Sequence, residues 1–397
     1  MKIAIFSDNF FPEISGISDS IIALAKNYST NGHIVRIYAP YHPPKNFKIV
    51  NEKFEEINIG ENISIYRINS LPFPAGTKQA RFVFPFGLSL FDIKKFKPDI
   101  IHTQHFFGTG LQALLATKIL HIPLLGTNHT TITAFAPFNG KLLSKVMLKY
   151  VNWYYNQCNW VTTPSQTLLD EMKHWGLKTS ASVMSNPIDL NIFKPVTPEQ
   201  KQILRVKHNF QENIIIYSGR LSPEKNLDVL IKSLTVVKKD LGNFTLVIAG
   251  HGSSETQLKN LINKLDLVEQ VIFLGTLNKI DLAEIYQASD IFVSASKSEN
   301  QPLSLMQAYA SGLPAVGVKA KGLGEYITST TGFAVEPDNY TELGKKILYL
   351  LTDNELQKKL SLQVLTYVNE FSAEPVCKKW LELYFKLIKE YNDSSTN

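Results

Sequence analysis

The stretch Ile214-Ile-Ile-Tyr-Ser-Gly-Arg-Leu-Ser-Pro-Glu-Lys-Asn226 runs from an apolar segment into a polar turn, and a helical pattern follows from Val229 to Lys238. A short buried strand, a turn containing Gly219 and an amphipathic helix make one step of a parallel α/β sheet, in which ligand loops gather at the carboxyl ends of strands. Arg220 offers a guanidinium fork and Lys225 a point charge, so both can serve one anion at this strand end. Two solvated surface cations are the alternative reading of the pair.

The same period recurs on both sides. Upstream, strand-like Ile3–Phe6, Val35–Ala39, Ile63–Ile68, Ile100–Thr103, Leu124–Thr127 and Val161–Pro164 alternate with helical Ile21–Tyr28 and Leu111–Leu120. Downstream, Leu246–Ala249, Val271–Leu274, Ile291–Ser294 and Ala315–Val318 alternate with Thr256–Leu265, Leu282–Gln287 and Leu303–Ala310. A chain of 397 residues exceeds one usual core, so two doubly wound, Rossmann-like domains are expected. Pro187, Pro195 and Pro198 mark the junction, giving domains of residues 1–190 and 191–374. Leu356–Phe371 and Pro375–Tyr391 read as two long closing helices.

Bulk properties narrow the function. Cys158 and Cys377 lack both disulfide-framework and metal-ligand spacing, and they read as buried thiols. The amino-terminal segment has no signal-peptide pattern, and no apolar run approaches the roughly 18 residues of a membrane span. A cytoplasmic protein, free or peripheral on the cytosolic face of a membrane, is expected. Residues 1–190 carry 18 Lys and Arg against 12 Asp and Glu, whereas residues 191–397 carry 23 of each. The basic surplus of the first half suits an anionic partner, a membrane surface or an acidic acceptor; without a basic-aromatic reader motif, no nucleic acid is expected.

The second ligand segment is Ser298-Glu-Asn-Gln-Pro-Leu-Ser-Leu-Met-Gln-Ala-Tyr-Ala-Ser-Gly-Leu-Pro314, an acidic loop entering a short helix. Glu299 can accept from hydroxyls, and the helix start can add N–H groups to an anion cradle. Together with Arg220 and Lys225 this is the chemistry that binding an activated sugar requires.

Both segments resemble the donor-site signature of the retaining glycosyltransferases of family 4, which have the GT-B fold of two Rossmann-like domains facing a deep cleft. Gly16, Asn128-His-Thr130, Ser185-Asn-Pro-Ile-Asp189, Val247-Ile-Ala-Gly-His-Gly252 and Ala288-Ser-Asp290 extend the resemblance over almost the whole chain. It implies an N-terminal acceptor domain, a C-terminal nucleotide-sugar domain, and a last helix, residues 375–397, crossing back onto the first with Trp380 and Tyr384 as anchors. It assigns catalytic roles to His129, Arg220, Lys225 and Glu299, and donor contacts to Gly16, Gly219, Asn300, Gln301, Pro302, Leu303, Ser304 and Gln307. His129 is expected to hydrogen-bond the donor sugar without acting as a general base, because the leaving phosphate takes the acceptor's proton in the family's proposed front-face reaction.

The chain departs from the family at two points. Gln307 stands where a second Glu usually holds the ribose, which removes about 1 kcal/mol of charge-assisted hydrogen bonding. Pro302 lies where the loop is usually small-aromatic-Gly, and it withdraws one N–H from the phosphates. No Asp-x-Asp occurs, so no metal and no cofactor are expected beyond the nucleotide-sugar co-substrate, UDP-glucose by resemblance to the lipid-directed branch exemplified by diacylglycerol glucosyltransferases.

That branch implies a lipid acceptor. His102, at the end of Ile100–Thr103, is a candidate for lining the acceptor side or for a structural role. Lys141, Lys145 and Lys149 form a basic stripe at helical spacing that could lie on anionic lipid or simply face solvent. The Arg81–Lys97 segment, rich in Phe, is a second candidate surface. A polysaccharide or other glycoconjugate acceptor, a nucleotide-sugar epimerase and a two-lobed solute-binding protein are the competing functions.

Overall fold

The computed structural model describes residues 1–13, 15–50, 52–73, 79–87, 89–131, 136–211 and 213–395, without the side chains of 136–144 and 395. The chain divides into two compact units, Met1–Pro187 with Ala373–Asn397, and Ile188–Ser372.

Unit 1 contains, in order, β1 (Lys2–Phe6), α1 (Gly16–Thr30), β2 (Ile34–Pro40), α2 (Pro44–Lys48), β3 (Ile63–Ile68), β4 (Ser70–Pro72), β5 (Arg81–Val83), α3 (Ser89–Phe96), β6 (Ile100–Thr103), α4 (Gly108–Leu120), β7 (Leu124–Thr127), α5 (Ala136–Tyr155), β8 (Trp160–Thr163), α6 (Gln166–His174) and β9 (Ala181–Val183). Its seven-stranded sheet is parallel in the order β3-β2-β1-β6-β7-β8-β9, and β4 and β5 form a separate antiparallel ribbon. Unit 2 contains α7 (Pro198–Lys207), β10 (Ile214–Ser218), α8 (Leu227–Asp240), β11 (Thr245–Ala249), α9 (Glu255–Lys264), β12 (Val271–Gly275), α10 (Lys279–Ala288), β13 (Ile291–Ser294), α11 (Leu303–Ala310), β14 (Ala315–Val318), α12 (Lys321–Tyr326), β15 (Gly332–Val335), α13 (Tyr340–Thr352) and α14 (Asn354–Val368). Its sheet is β12-β11-β10-β13-β14-β15, also parallel.

Both sheets reverse their order beside the first strand of the unit, between β1 and β6 and between β10 and β13. Ligand loops of doubly wound folds open at that reversal. The central strands are apolar runs because both faces are covered: Ile214, Ile215, Ile216, Ile291, Phe292 and Val293 are all fully buried. Asp290 ties the opposite, amino-terminal end of unit 2's sheet together. Its carboxylate accepts from Ile214 N at 2.8 Å, Lys201 at 2.7 Å and Arg205 at 2.6 Å. Burial raises its pKa, but the two cations outweigh burial and hold it below the usual value.

The last helix, α15 (Ala373–Ser395), belongs to unit 1 and packs on α1. Val376, Trp380, Tyr384 and Leu387 project into the core shared with Ile3, Ile5, Ile21 and Leu24. Their spacing is the buried face of one amphipathic helix.

Candidate active site

In unit 2 the turn after β10 is shaped by close backbone contact. Gly219 N donates to Ala249 O at 3.0 Å and Leu221 N to His251 O at 3.1 Å, so the ladder continues past the strand ends. A Cβ on Gly250 would lie 1.9 Å from the Gly219 carbonyl oxygen, and both glycines have positive φ. Arg220 follows with its side chain exposed, while its carbonyl accepts from the Tyr217 hydroxyl at 3.1 Å.

Lys225 ends a single 3₁₀ turn, and Asn226, in the left-handed region, redirects the chain into α8. Lys225 Nζ donates to Glu299 Oε1 at 2.5 Å, with 16% and 24% side-chain exposure. The cation expected on phosphate and the carboxylate expected on sugar thus neutralise each other. Glu299 arrives from the loop after β13, which rests on α12: Gly322 N donates to the Glu299 carbonyl at 2.9 Å, and a Cβ at Gly322 would lie 1.6 Å from Asn300 O. Asn300 and Gln301 are buried, and Pro302 caps α11, whose first turn carries Leu303 and Ser304.

Gln307 is half-buried beside Tyr286. The Tyr286 hydroxyl donates to Ser304 O at 2.9 Å, lies 3.5 Å from Gln307 Oε1 and bonds Ser218 Oγ. This fully buried tyrosine therefore links the end of β10 to the start of α11. Nothing in its local sequence marks it, because it sits on α10 among ordinary helix-core residues.

In unit 1 Gly16 is the first residue of α1, exposed, behind the N-cap Ser15, whose hydroxyl accepts from Ile17 N at 3.2 Å. His129 lies beyond β7. Asn128 and Thr131 hold its backbone, through Thr130 N to Asn128 Oδ1 at 3.0 Å and Thr131 Oγ1 to Glu171 Oε2 at 2.9 Å. The His129 ring donates from Nε2 to Gln104 Oε1 at 2.6 Å. Burial, then neighbouring His105, lowers its pKa to about 3, so the imidazole is neutral.

His102 does not line an acceptor surface. It is fully buried, and both ring nitrogens are engaged, Nδ1 with the Tyr384 hydroxyl at 2.6 Å and Nε2 with Thr127 Oγ1 at 2.7 Å. Gln104, two residues on, carries no charge that would mark it in the sequence. Its place just past a strand end beside the sheet reversal is the clue available.

Lys145 and Lys149 are exposed on α5, and the stripe continues into Trp153, 47% exposed, while Val151, Tyr154 and Tyr155 are buried on the other face. The Lys141 side chain lies outside the described residues. Phe82, Phe84, Phe86 and Phe91 are exposed on β5, α3 and the link between them, whereas Phe96 is buried.

A family model described as Glycosyltransferase Family 4 matches residues 14–192, and one described as Glycosyl transferases group 1 matches residues 199–363. The chain is 30% identical over 400 residues to the alpha-monoglucosyldiacylglycerol synthase of Streptococcus pneumoniae, covering 99% of this chain and 87% of that protein. The Acholeplasma laidlawii protein of the same name is 26% identical, with 99% and 98% covered. In fold it matches the crystal structure of Anabaena HepE in complex with UDP, at a TM-score of 0.75 and 18% identity over 97% of this chain and all of that one. The switch-point loops, the twin sheets and these matches place the chain in glycosyltransferase family 4, as a glycosyltransferase of GT-B fold.

Proposed function

We propose that the protein transfers glucose from UDP-glucose to the hydroxyl of a membrane lipid such as diacylglycerol, with retention at the anomeric carbon and without a metal. The observation that carries this reading is the meeting of Lys225, Glu299 and the start of α11 at the sheet reversal of unit 2.

Lys225 and Arg220 neutralise the diphosphate, and the developing charge on the leaving oxygen is where such donors act most strongly. Glu299 accepts from sugar hydroxyls, and Gln307 from its amide serves the ribose. The bond from the anomeric carbon to the diphosphate oxygen breaks, the acceptor oxygen bonds to that carbon on the same face, and the acceptor's proton passes to the leaving diphosphate. Neutral His129 accepts a hydrogen bond without taking part as a base. Among the described residues no three His, Cys, Asp or Glu gather as metal ligands do. The cations present fit the role a metal would otherwise fill.

The acceptor is read from the relatives, whose names give alpha-monoglucosyldiacylglycerol as product; an α-linkage accords with retention from an α-linked donor. No helix among the described residues is long and apolar enough to cross a membrane. Peripheral docking is proposed through the exposed Lys145, Lys149 and Trp153, which share one face of α5. A screen of nucleotide-sugars against lipid and carbohydrate acceptors tests the reading. Acceptor-dependent UDP release with diacylglycerol and UDP-glucose is expected, and UDP-sugar interconversion without acceptor would overturn it in favour of an epimerase.

A further inference from the structure

We propose that Gln104 is a positioning residue for His129, and that the C-terminal helix shares in this through His102 and Tyr384. The proposal rests on the reading of His129 as an active-site residue.

Gln104 is buried just past β6 and faces two imidazoles. Its Oε1 is 2.6 Å from His129 Nε2, and its amide nitrogen is 3.0 Å from His102 Nε2. On the far side His102 Nδ1 is 2.6 Å from the Tyr384 hydroxyl, which also bonds Tyr28 at 3.3 Å, and the Trp380 ring lies against the His102 ring at 4.9 Å. An amide oxygen can only accept and an amide NH₂ can only donate. With the amide in this orientation His129 carries its proton on Nε2, and His102 accepts on Nε2, where the Thr127 hydroxyl at 2.7 Å donates as well and takes its own hydrogen bond from Thr162. A neutral imidazole has one donor and one acceptor, so the His102 proton sits on Nδ1 and is donated to Tyr384.

Each tautomer therefore fixes the next, and the donors run one way from His129 to α15. Burial keeps His102 as well as His129 neutral, each lowered to about 3. His105, the third imidazole of the group, accepts from Asp8 N through Nδ1 at 3.1 Å and is lowered by burial to about 4. The His129 backbone is anchored separately, by Asn128 and Thr131. What Gln104 contributes is ring orientation and an acceptor-type Nδ1, the form suited to receiving a sugar hydroxyl.

Nitrogen NMR of the imidazoles in the full-length, substrate-free protein tests this directly. His129 is expected with its proton on Nε2 and His102 with its proton on Nδ1. In Gln104→Leu the His129 signals should move to a tautomer mixture, with kcat down roughly 10- to 100-fold and KM for the nucleotide-sugar within about twofold, the pattern of a misplaced rather than lost contact. In Tyr384→Phe the His102 Nδ1 proton loses its acceptor, so the His102 signals should shift, and those of His129 by a smaller amount. If Gln104→Leu does not fold, Gln104→Glu replaces it: an acceptor remains for His129, which should keep its tautomer, while His102 loses the Gln104 amide, keeps only the Thr127 hydroxyl at 2.7 Å on Nε2, and shifts. Unchanged His129 signals in Gln104→Leu, or an unchanged kcat, would overturn the proposal. Tautomers that move as described in a protein with no glycosyl transfer would uphold the linkage and sink the reading of function on which it rests.

Discussion

Lys225 and Glu299 hold one another at 2.5 Å, and in the function proposed above each serves a different part of a sugar diphosphate. A nucleoside diphosphate without sugar has to draw Lys225 away and leave the carboxylate facing an anion. A full nucleotide-sugar offers Glu299 hydroxyls in exchange. Glu299→Gln is therefore expected to tighten UDP binding, by about fivefold for a partly exposed pair worth around 1 kcal/mol, while lowering turnover. Titration calorimetry reads the first effect, and weaker or equal UDP binding would contradict the competition. Lys225→Ala should reduce turnover strongly with the melting temperature little changed; kinetics like the parent's would remove Lys225 from the phosphate. Gln307→Glu should tighten nucleotide binding if the amide lies on the ribose, read from the UDP dissociation constant. Its pairing with Tyr286 leaves an acceptor already engaged, so the gain should be modest.

At the scale of elements, the loop that carries Glu299 is seated on α12. Gly322 at the start of α12 lets the Asn300 carbonyl approach to a distance no Cβ permits. Gly322→Ala must push residues 299–301 outward, at a cost of about 1–3 kcal/mol for an overpacked contact. Urea unfolding measures that cost. A rise in KM for the nucleotide-sugar under conditions where the variant is fully folded checks that the displaced loop carries Glu299 with it. The elements themselves were legible where the physics is simple. Leu124–Thr127, Ile291–Ser294 and Ala315–Val318 have in the structure the limits that their apolar runs predict, because strands covered on both faces tolerate little else; the helix Leu303–Ala310 likewise keeps its predicted limits, set at its start by Pro302. The β4–β5 ribbon was not legible, being short, largely exposed and bounded by Pro72. Side-chain pairing was legible least of all. Lys225 and Glu299 stand 74 positions apart, and His102 and Tyr384 stand 282 apart, so no spacing rule along the chain could join them; the first needed the sheet order and the second the return of α15.

Across the whole molecule the two units differ in what acid does to them. His42, His102 and His129 are lowered to about 3 and His105 to about 4, chiefly by burial, and all four belong to unit 1. A histidine depressed in the folded state is neutral there and gains a proton on unfolding once the pH drops below about 6.5. The stability that this neutral form represents is present above that pH and is lost progressively as the pH falls towards about 4 for His105 and about 3 for the other three. Each group contributes at most about 1.4 kcal/mol per pH unit. In unit 2, His208 and His251 instead sit beside Glu284 and Glu255. Unit 1 should therefore unfold at markedly lower urea at pH 5 than at pH 7, with unit 2 shifting less. Trp153, Trp160, Trp175 and Trp380, the chain's four tryptophans, all fall within unit 1, so fluorescence follows it alone while circular dichroism follows both. A fluorescence midpoint that is flat from pH 7 to 5 would contradict the burial of these imidazoles.

The return of α15 also sets an order of events at the ribosome. Unit 2 is one continuous run, Ile188–Ser372, and every residue of it is available before Ala373 is made. Unit 1 is begun before unit 2, but its core lacks Trp380 and Tyr384, and His102 lacks the Tyr384 hydroxyl, until α15 is translated. Domains commonly complete in the order in which they are synthesised. Here the unit that is begun earlier is completed after the other, and through the whole synthesis of unit 2 the surface that α15 will cover stays uncovered.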